Sequence, residues 1–467
     1  MELSERAVPV RMRRVAIVAL QSRVREVLLA LAESGTVDIA GPLGAGEGPA
    51  LEALRRLESR GPAGGHATPA LARDTPDFEA LERSGARDVL AGEVELERRR
   101  SSSVEHGSFV LFVGWAPVPE LAELAERLEP LSTSLIELPA PRGQDPPTLL
   151  APAPAARPFR PLLDTYGAVP YADVDPTPFA ALTYCLMFGM MFGDVGDGLL
   201  IVLAALALRQ THHPRLARLR KAWPMIAAPG AAAIVFGALY GEFFGPTRVL
   251  PVLWLAPLDS PTRLLVVAIA VGGGLLAASH LIGIVNRWRE GGARLALTAA
   301  SGIPGLALLL AGALVAVGVA AHASTLRTLG LALVVLAVLP LAVGLRLEAG
   351  RGATAVGEVL IGLLDALLRT FANVFSFSRL AAFGLMHAAI GKVVLDAAGG
   401  LTGRPIGDLA AAAVFAAGGL VAFTLEALVA AVQALRLEYY ELFSRVFTRE
   451  GRPFRPWNVP LMSTEEA

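Results

Sequence analysis

The feature that most constrains this chain is a series of apolar runs between Thr177 and Phe447. Each run is long enough to cross a hydrocarbon layer of roughly 30 Å. Only 18% of the 467 residues are charged, against about 25% in a soluble globular protein, and the charges concentrate before the first apolar run. This pattern excludes a soluble enzyme, a nucleic-acid binder and a fibrous protein. It predicts a polytopic α-helical membrane protein with a soluble N-terminal part.

The soluble part, residues 1–160, has the pattern of an α+β domain. Two strand–helix–strand units are predicted, one over Val15–Ile39 and one over Phe109–Leu138. Charged helical stretches at Leu51–Arg60 and Asp77–Arg100 lie between these units and predict a short helical hairpin. No apolar segment of signal-peptide type follows the first charged residues. We therefore expect this domain to be cytoplasmic.

The transmembrane part is predicted to span residues 161–447 and to contain about eight helices. The apolar runs fall at about 178–193, 195–208, 222–241, 263–286, 295–320, 326–345, 356–397 and 409–446. Asp194 and Asp197 separate the first two runs. Because acidic side chains at mid-membrane are costly, a hairpin with a glycine-rich turn at one surface is favoured over a single tilted helix. The last two runs are longer than a straight span requires, which predicts strong tilts.

The distribution of basic residues indicates the orientation of the chain. If the N-terminus is cytoplasmic, the inner loops and the tail at 448–467 carry most of the Arg and Lys residues, and the outer loops carry few. Positive charge is enriched in the cytoplasmic loops of membrane proteins. This distribution predicts that both chain ends, including the tail, are cytoplasmic.

Ionisable and polar residues in the last two apolar runs are the candidates for ion translocation, because such residues are rare in membranes and usually functional. The six candidates are Asp365, Arg379, His387, Glu426, Gln433 and Arg436. On an ideal helix, Asp365 and Arg379 share a face, and His387 lies about 12 Å beyond Arg379. Gln433 lies about 20° around the helix from Glu426, and Arg436 is one turn further.

This set of residue types suits an ion gate. An Arg side chain stays charged in a protein, so it can hold a nearby carboxylate ionised but is poorly suited to relaying protons. Asp, Glu and His can exchange protons. A fixed cation flanked by such groups on two tilted helices describes a gate for protons or sodium ions carried on a partner's carboxylate. A salt-bridge network that only steadies the helix bundle is the alternative for each of these residues.

Signals for enzymatic or cofactor chemistry are weak. The glycine-rich stretch Gly41–Gly48 follows a strand but lacks the Lys-Ser/Thr that completes a phosphate-binding loop. The chain is therefore not expected to hydrolyse ATP by itself. The one cysteine, Cys185, allows no disulfide framework within the chain, and no cofactor or metal site is predicted. The formal net charge of −1 gives no reason to expect a nucleic-acid partner.

Four segments of the chain carry a family resemblance. They are DPTPFAALTYCLMFGMMFGDVGDGLL (Asp175–Leu200), FSFSRLAAFGLMHAAIG (Phe375–Gly391), TLEALVAAVQALRLEYYELFSRVF (Thr424–Phe447) and GRPFRPW (Gly451–Trp457). In this order they resemble the large membrane subunit of rotary V-type and archaeal A-type ATPases, called a in eukaryotes and I in prokaryotes. The stretch between the two strand–helix–strand units is far shorter than the long coiled-coil arm of that family.

The resemblance implies a stator that forms two offset half-channels against a rotating ring of proteolipid subunits. It implies a prokaryotic cell-membrane complex with peripheral-stalk, central-stalk and nucleotide-binding subunits. Arg379 occupies the position of the family's essential Arg, and Arg436 matches its second Arg. Glu426 and His387 match the half-channel on the non-cytoplasmic side, and Asp365 stands in the cytoplasmic half-channel.

Two other functions stay open on the sequence. A self-sufficient secondary transporter also places charges on broken helices at mid-depth, although the sequence shows no evident internal repeat. A structural stator that no longer conducts ions would tolerate replacement of Arg379.

Overall fold

The computed structural model describes residues 8–39, 48–59, 67–141, 143–151, 154–213, 216–349, 354–402, 407–447 and 450–462. The glycine-rich stretch considered as a phosphate loop lies outside these ranges, except for Gly48. The chain divides into two compact units. The membrane unit comprises Met1–Val8, Pro152–Ala168 and Ala172–Glu450, and the α+β unit comprises Pro9–Ala151, Val169–Tyr171 and Gly451–Ala467.

The α+β unit is built on an antiparallel sheet. Its strands are β1 (Met12–Leu20), β2 (Asp38–Ile39), β3 (Leu71–Ala72), β4 (Val104–His106), β5 (Phe109–Pro117), β6 (Ser134–Leu138) and β7 (Leu461–Met462). The main sheet has the order β2–β5–β1–β6, with β4 paired to β5. All of its pairs are antiparallel. The two strand–helix–strand units therefore interleave, which is the split β-α-β arrangement.

Helices cover this sheet and fill the insertion between the two units. They are α1 (Val24–Ser34), α2 (Pro49–Ser59), α3 (Phe78–Ser84), α4 (Arg87–Ser101) and α5 (Leu121–Leu128). Ile17 and Phe112 on the sheet are buried with Leu28 of α1 and Leu124 of α5 in one apolar cluster. The prediction of an N-terminal α+β domain is confirmed. The charged stretch predicted as one helix is two helices, α3 and α4, because Gly85 adopts φ +75° and ends α3.

Part of the C-terminal tail belongs to the α+β unit. Strand β7 pairs in parallel with β3. The buried Trp457 donates its indole N–H to Glu95 Oε2 at 3.1 Å, and Arg452 Nη2 lies 3.0 Å from Asp38 Oδ2. Burial raises the pKa of Asp38, and the charge of Arg452 acts in the opposite direction. These contacts join residues that lie at opposite ends of the sequence, and no local pattern predicted them.

The membrane unit is helical. Its helices are α6 (Arg160–Tyr166), α7 (Thr177–Met191), α8 (Val195–Gln210), α9 (Ala217–Lys221), α10 (Trp223–Tyr240), α11 (Pro261–Thr298), α12 (Ile303–Ala320), α13 (Ser324–Glu348), α14 (Thr354–Ser376), α15 (Ser378–Gly399) and α16 (Gly407–Leu437). A π-helical turn at Glu438–Phe443 extends α16 towards Val446.

Six stretches within the described residues are long and apolar enough to span a membrane. They are α10, α11, α12, α13, α14 together with α15, and α16 with its extension. The prediction of a polytopic helical membrane protein is confirmed by the length and composition of these helices. Helix α7 is apolar but shorter, so a count of eight would need both α7 and α8 to cross as well.

The turn predicted between the first two apolar runs is present, because α7 ends at Met191 and α8 begins at Val195. Both helices pack against α10. Gly189 of α7 lies against Ala232, and Gly198 of α8 lies against the backbone of Gly230. Absence of a side chain at these glycines allows the helices to approach closely.

The run predicted at 356–397 as one long helix is instead two helices, α14 and α15, separated at Phe377. The N–H of Phe377 donates to the carbonyl of Val374 at 3.2 Å, and its own carbonyl accepts from Leu380 at 3.0 Å. These bonds span three residues, which is the tighter pitch of a 3₁₀ turn. The Phe377 ring is fully buried against Gly272 of α11.

Candidate functional site

Helices α15 and α16 pack side by side and bring together two of the predicted site residues. Nδ1 of His387 lies 2.5 Å from Oε2 of Glu426. The two side chains are only 7% and 9% exposed. The ring of Phe192, just before the α7–α8 turn, lies 4.7 Å from the His387 ring, centre to centre. The His387–Glu426 pair therefore lies between α15, α16 and the segment that follows α7.

The α7–α8 turn places Asp194 in the interior of the membrane unit. The Asp194 side chain is fully buried. Its Oδ1 accepts backbone hydrogen bonds from Asp197 at 3.0 Å and from Phe244 at 2.9 Å, and its Oδ2 accepts one from Gly245 at 2.7 Å. Three N–H donors replace the water that a buried carboxylate loses, which explains why this position can be interior.

A third acidic side chain, Glu242, joins this region from the loop after α10. It follows Gly241, whose φ of +75° ends the helix, and it is buried. Asp194, Glu242 and His387 each offer one ligand atom, and the three atoms lie within 4.8 Å of one another. Glu242 was not among the site residues predicted from the sequence. The sequence signal that could have identified it is its position directly after an apolar span.

A cavity of about 560 Å³ borders this polar group, between α8, α15 and α16. Its lining is apolar apart from Asp197, His387 and Glu426. Large apolar side chains such as Phe423 form much of the remaining wall. The cavity therefore gives access to the His387–Glu426 pair through surroundings that contain few other polar groups.

Arg379 lies in the first turn of α15, directly after the break at Phe377. Its Nη2 donates to Ser376 Oγ at 3.3 Å and lies 3.5 Å from Oε1 of Glu441. Its Nη1 has no hydrogen-bond partner among the described residues. Glu441 belongs to the π-helical turn after α16 and is 6% exposed, whereas Arg379 is 27% exposed. Glu441 was not predicted from the sequence, because it reaches Arg379 only in the tertiary fold.

The other three predicted residues are placed separately. Arg436 is exposed on α16, close enough for its charge to act on Glu441. The side-chain oxygen of Gln433 is buried and has no hydrogen-bond partner in the described structure. Asp365 forms an ion pair with Arg369 at 2.7 Å, and these side chains are 52% and 69% exposed. The shared helix face expected for Asp365 and Arg379 assumed an unbroken helix, whereas a tighter turn at Phe377 lies between them.

The surface around these charges is apolar. Large exposed apolar side chains on α14, α15 and α16 include Leu360, Ile361, Leu364, Phe371, Phe375, Val393, Leu425, Leu428 and Val432. A charged group facing hydrocarbon at mid-depth costs several kcal/mol. The exposed charges of Arg436, Arg369 and Asp365 therefore require water or a polar partner group at this surface.

Comparisons with known proteins agree with the sequence motifs. Residues 102–249 match the model of the V-type ATPase 116kDa subunit family. The chain is 27% identical over 368 residues to the A-type ATP synthase subunit I of Thermococcus kodakarensis, which covers 74% of this chain and 53% of that protein. It is 28% identical over 404 residues to the subunit I of Archaeoglobus fulgidus, covering 75% and 58%.

A eukaryotic relative is also found. The chain is 31% identical over 154 residues to the human V-type proton ATPase 116 kDa subunit a 3, covering 30% of this chain and 19% of that protein. The chain spans about half the length of the archaeal relatives described above. The resemblance seen in the sequence motifs is thereby confirmed.

Proposed function

We propose that this chain, a relative of the V-type ATPase 116 kDa subunit family, is the ion-translocating stator subunit of a V/A-type rotary ATPase. The observation that carries the proposal is the pair of guanidinium groups on α15 and α16. The Arg379 side chain is 27% exposed, with a buried Nη1 that has no hydrogen-bond partner among the described residues, and Arg436 is exposed within an apolar surface. Such a surface fits an apolar helical partner that carries a carboxylate, as a ring of proteolipid subunits does.

The charges account for the order of steps at this interface. A carboxylate on the moving partner crosses lipid only when it is neutral, because an isolated charge in hydrocarbon is very costly. Near Arg379 the charged form is stabilised, so the carboxylate releases its ion there. It is then reloaded from the other side before it re-enters the lipid. A guanidinium suits this role because it does not lose its own proton in a protein.

Two access routes serve this step in the proposal. The cavity beside His387 and Glu426 provides the route on the non-cytoplasmic side, and Gln433 lies along α16 between Glu426 and the turn whose Glu441 faces Arg379. The exposed Asp365–Arg369 pair provides polar groups on the cytoplasmic side. The translocated ion is a proton or a sodium ion, and transport is coupled to ATP hydrolysis or synthesis on other subunits.

The α+β unit and both chain ends are cytoplasmic in this proposal, consistent with the basic loops. The α+β unit then faces the peripheral stalks, and the nucleotide-binding subunits connect through the stalks of the complex. The chain is not an enzyme by itself. A self-sufficient transporter would enclose its charged groups within its own bundle, whereas Arg436, Asp365 and Arg369 are exposed.

The test is Arg379→Gln in the complex assembled in its own membranes. We expect loss of ATP-driven ion pumping, with the proteolipid and nucleotide-binding subunits still co-purifying with the chain. The control is Arg327→Gln, which removes an exposed arginine from α13 and should leave pumping unchanged. Normal pumping by Arg379→Gln would refute the gate. Reproducible recovery of the folded wild-type chain from its own membranes in mild detergent, without other subunits, would refute the stator role.

A further inference from the structure

We propose that Asp194, Glu242 and His387 form a binding site for one divalent transition-metal ion of the Zn²⁺ type. All three side chains are buried, and one ligand atom from each lies within 4.8 Å of the others. They come from the α7–α8 turn, the loop after α10 and helix α15. The site requires only this chain, so it stands whether or not the chain is a stator.

The balance of charges at the site favours a cation. Two carboxyl groups, those of Asp194 and Glu242, face one imidazole in an interior where unpaired charge is costly. A divalent ion bound between them would neutralise both carboxylates. The imidazole alone cannot do so, because its second nitrogen already faces the carboxylate of Glu426.

The orientation of His387 is the second observation that points to a ligand. Its Nδ1 contacts Oε2 of Glu426, while Nε2 is buried without a hydrogen-bond partner among the described residues. A hydrogen bond from Nδ1–H to the carboxylate leaves the lone pair of Nε2 free to bind a metal. Histidines that bind metals almost always donate their other N–H in this way. Glu426 is thus a positioning residue for the proposed ligand.

Asp194 is also oriented for coordination. An ionised carboxylate has about four lone-pair positions, and backbone N–H groups of Asp197, Phe244 and Gly245 occupy three of them. One position remains for an ion. The three backbone bonds hold the carboxylate in place, so little conformational freedom is lost when the ion binds.

The donor set selects the class of metal. One imidazole nitrogen with two carboxylate oxygens suits Zn²⁺, whereas Ca²⁺ and Mg²⁺ take oxygen ligands. Three protein ligands leave the fourth position of Zn²⁺ for water. The cavity lined by His387 and Glu426 supplies an entry path of sufficient volume, about 560 Å³.

The experiment uses the full chain purified in detergent, stripped with a chelator and titrated with Zn²⁺ alone. We expect one tightly bound Zn²⁺ per chain by calorimetry. X-ray absorption should show one imidazole nitrogen and carboxylate oxygens at about 2.0–2.2 Å. His387→Gln and Glu242→Gln should each weaken binding by at least about tenfold. Glu426→Gln, which changes only the positioning residue, should weaken it about 10- to 100-fold.

The matched control is His280→Gln, which removes another buried histidine, on α11. It should retain the wild-type affinity. Absence of stoichiometric binding in the wild type would overturn the proposal. Equal affinity in His387→Gln, Glu242→Gln and His280→Gln would also overturn it, because the ion would then bind elsewhere. Melting temperatures measured without Zn²⁺ identify any variant that has lost its fold. If His387→Gln is such a variant, the Zn²⁺ affinity of the conservative Glu242→Gln variant tests the proposal.

Discussion

Substitution of Gly272 by alanine should impair ion pumping, because Gly272 sets the position of the break before Arg379. A Cβ atom at Gly272 would lie 2.1 Å from Cγ of Phe377, and ordinary contacts begin near 3.4 Å. The side chain or the backbone at Phe377 must therefore move by about 1.3 Å, which is the difference between these two distances. Phe377 is fully buried, so the ring has no free space to occupy.

The expected magnitudes differ for stability and for function. Overpacking of this kind costs about 1–3 kcal/mol, from which a helical Gly→Ala exchange recovers about 0.5–1 kcal/mol. The protein should therefore still fold. Arg379 lies two residues after Phe377, and a misplacement of about 1 Å at a functional group can lower a rate about 100-fold. We expect the loss of pumping by Gly272→Ala to be far larger than its loss of stability.

The assay combines ATP-driven ion uptake into membrane vesicles with thermal unfolding of the detergent-solubilised chain. Gly273→Ala and Gly274→Ala are matched controls on the same helix, because a Cβ at either position meets nothing within 4 Å. Both controls should pump normally and should be slightly stabilised. If Gly272→Ala pumps as well as these two controls, the contact between α11 and Phe377 does not position Arg379.

Further changes test other parts of the molecule. Glu426→Gln should slow ion transport without uncoupling it from ATP hydrolysis, and an unchanged transport rate at several pH values would make Glu426 structural only. Burial, and then the facing carboxyl of Glu290, raise the pKa of Asp173 to about 8, so its contribution to stability is lost as the pH rises through that value. Melting temperature should therefore fall as the pH rises from about 4 to about 8 in the wild type, and less so in Asp173→Asn. Trp457→Ala removes a buried indole and should destabilise the α+β unit by about 3–5 kcal/mol. Faster proteolysis of the tail would show this loss of stability. Substitution of the exposed Arg455 by alanine should leave the rate of tail proteolysis unchanged.

Much of the fold follows from local patterns in the sequence. Apolar runs predicted the membrane helices, and short apolar runs with amphipathic stretches between them predicted both strand–helix–strand units. These features depend on side chains near each other along the chain. The local pattern did not locate the break at Phe377, because the surrounding run has no proline and the buried ring packs against a glycine on a different helix.

The candidate site was predicted in part. His387, Glu426 and Arg379 were predicted from the sequence, because ionisable residues are conspicuous within apolar helices. The prediction that Asp365 and Arg379 share one face assumed an unbroken helix. Glu242 and Glu441 were not selected, since a loop and a helix end are ordinary positions for an acidic residue. Only the fold brings these two side chains to His387 and Arg379.

The sequence by itself determined that this chain is a helical membrane protein with an α+β domain and charged groups near its last helices. Segment length, hydropathy and periodicity are properties of neighbouring residues, so they are visible without a structure. The tertiary structure decided which charges meet, that Asp194 is buried, and that the tail supplies strand β7. Each of these depends on contacts between residues distant in sequence, such as Trp457 with Glu95. Such contacts form only when the helices and strands pack together.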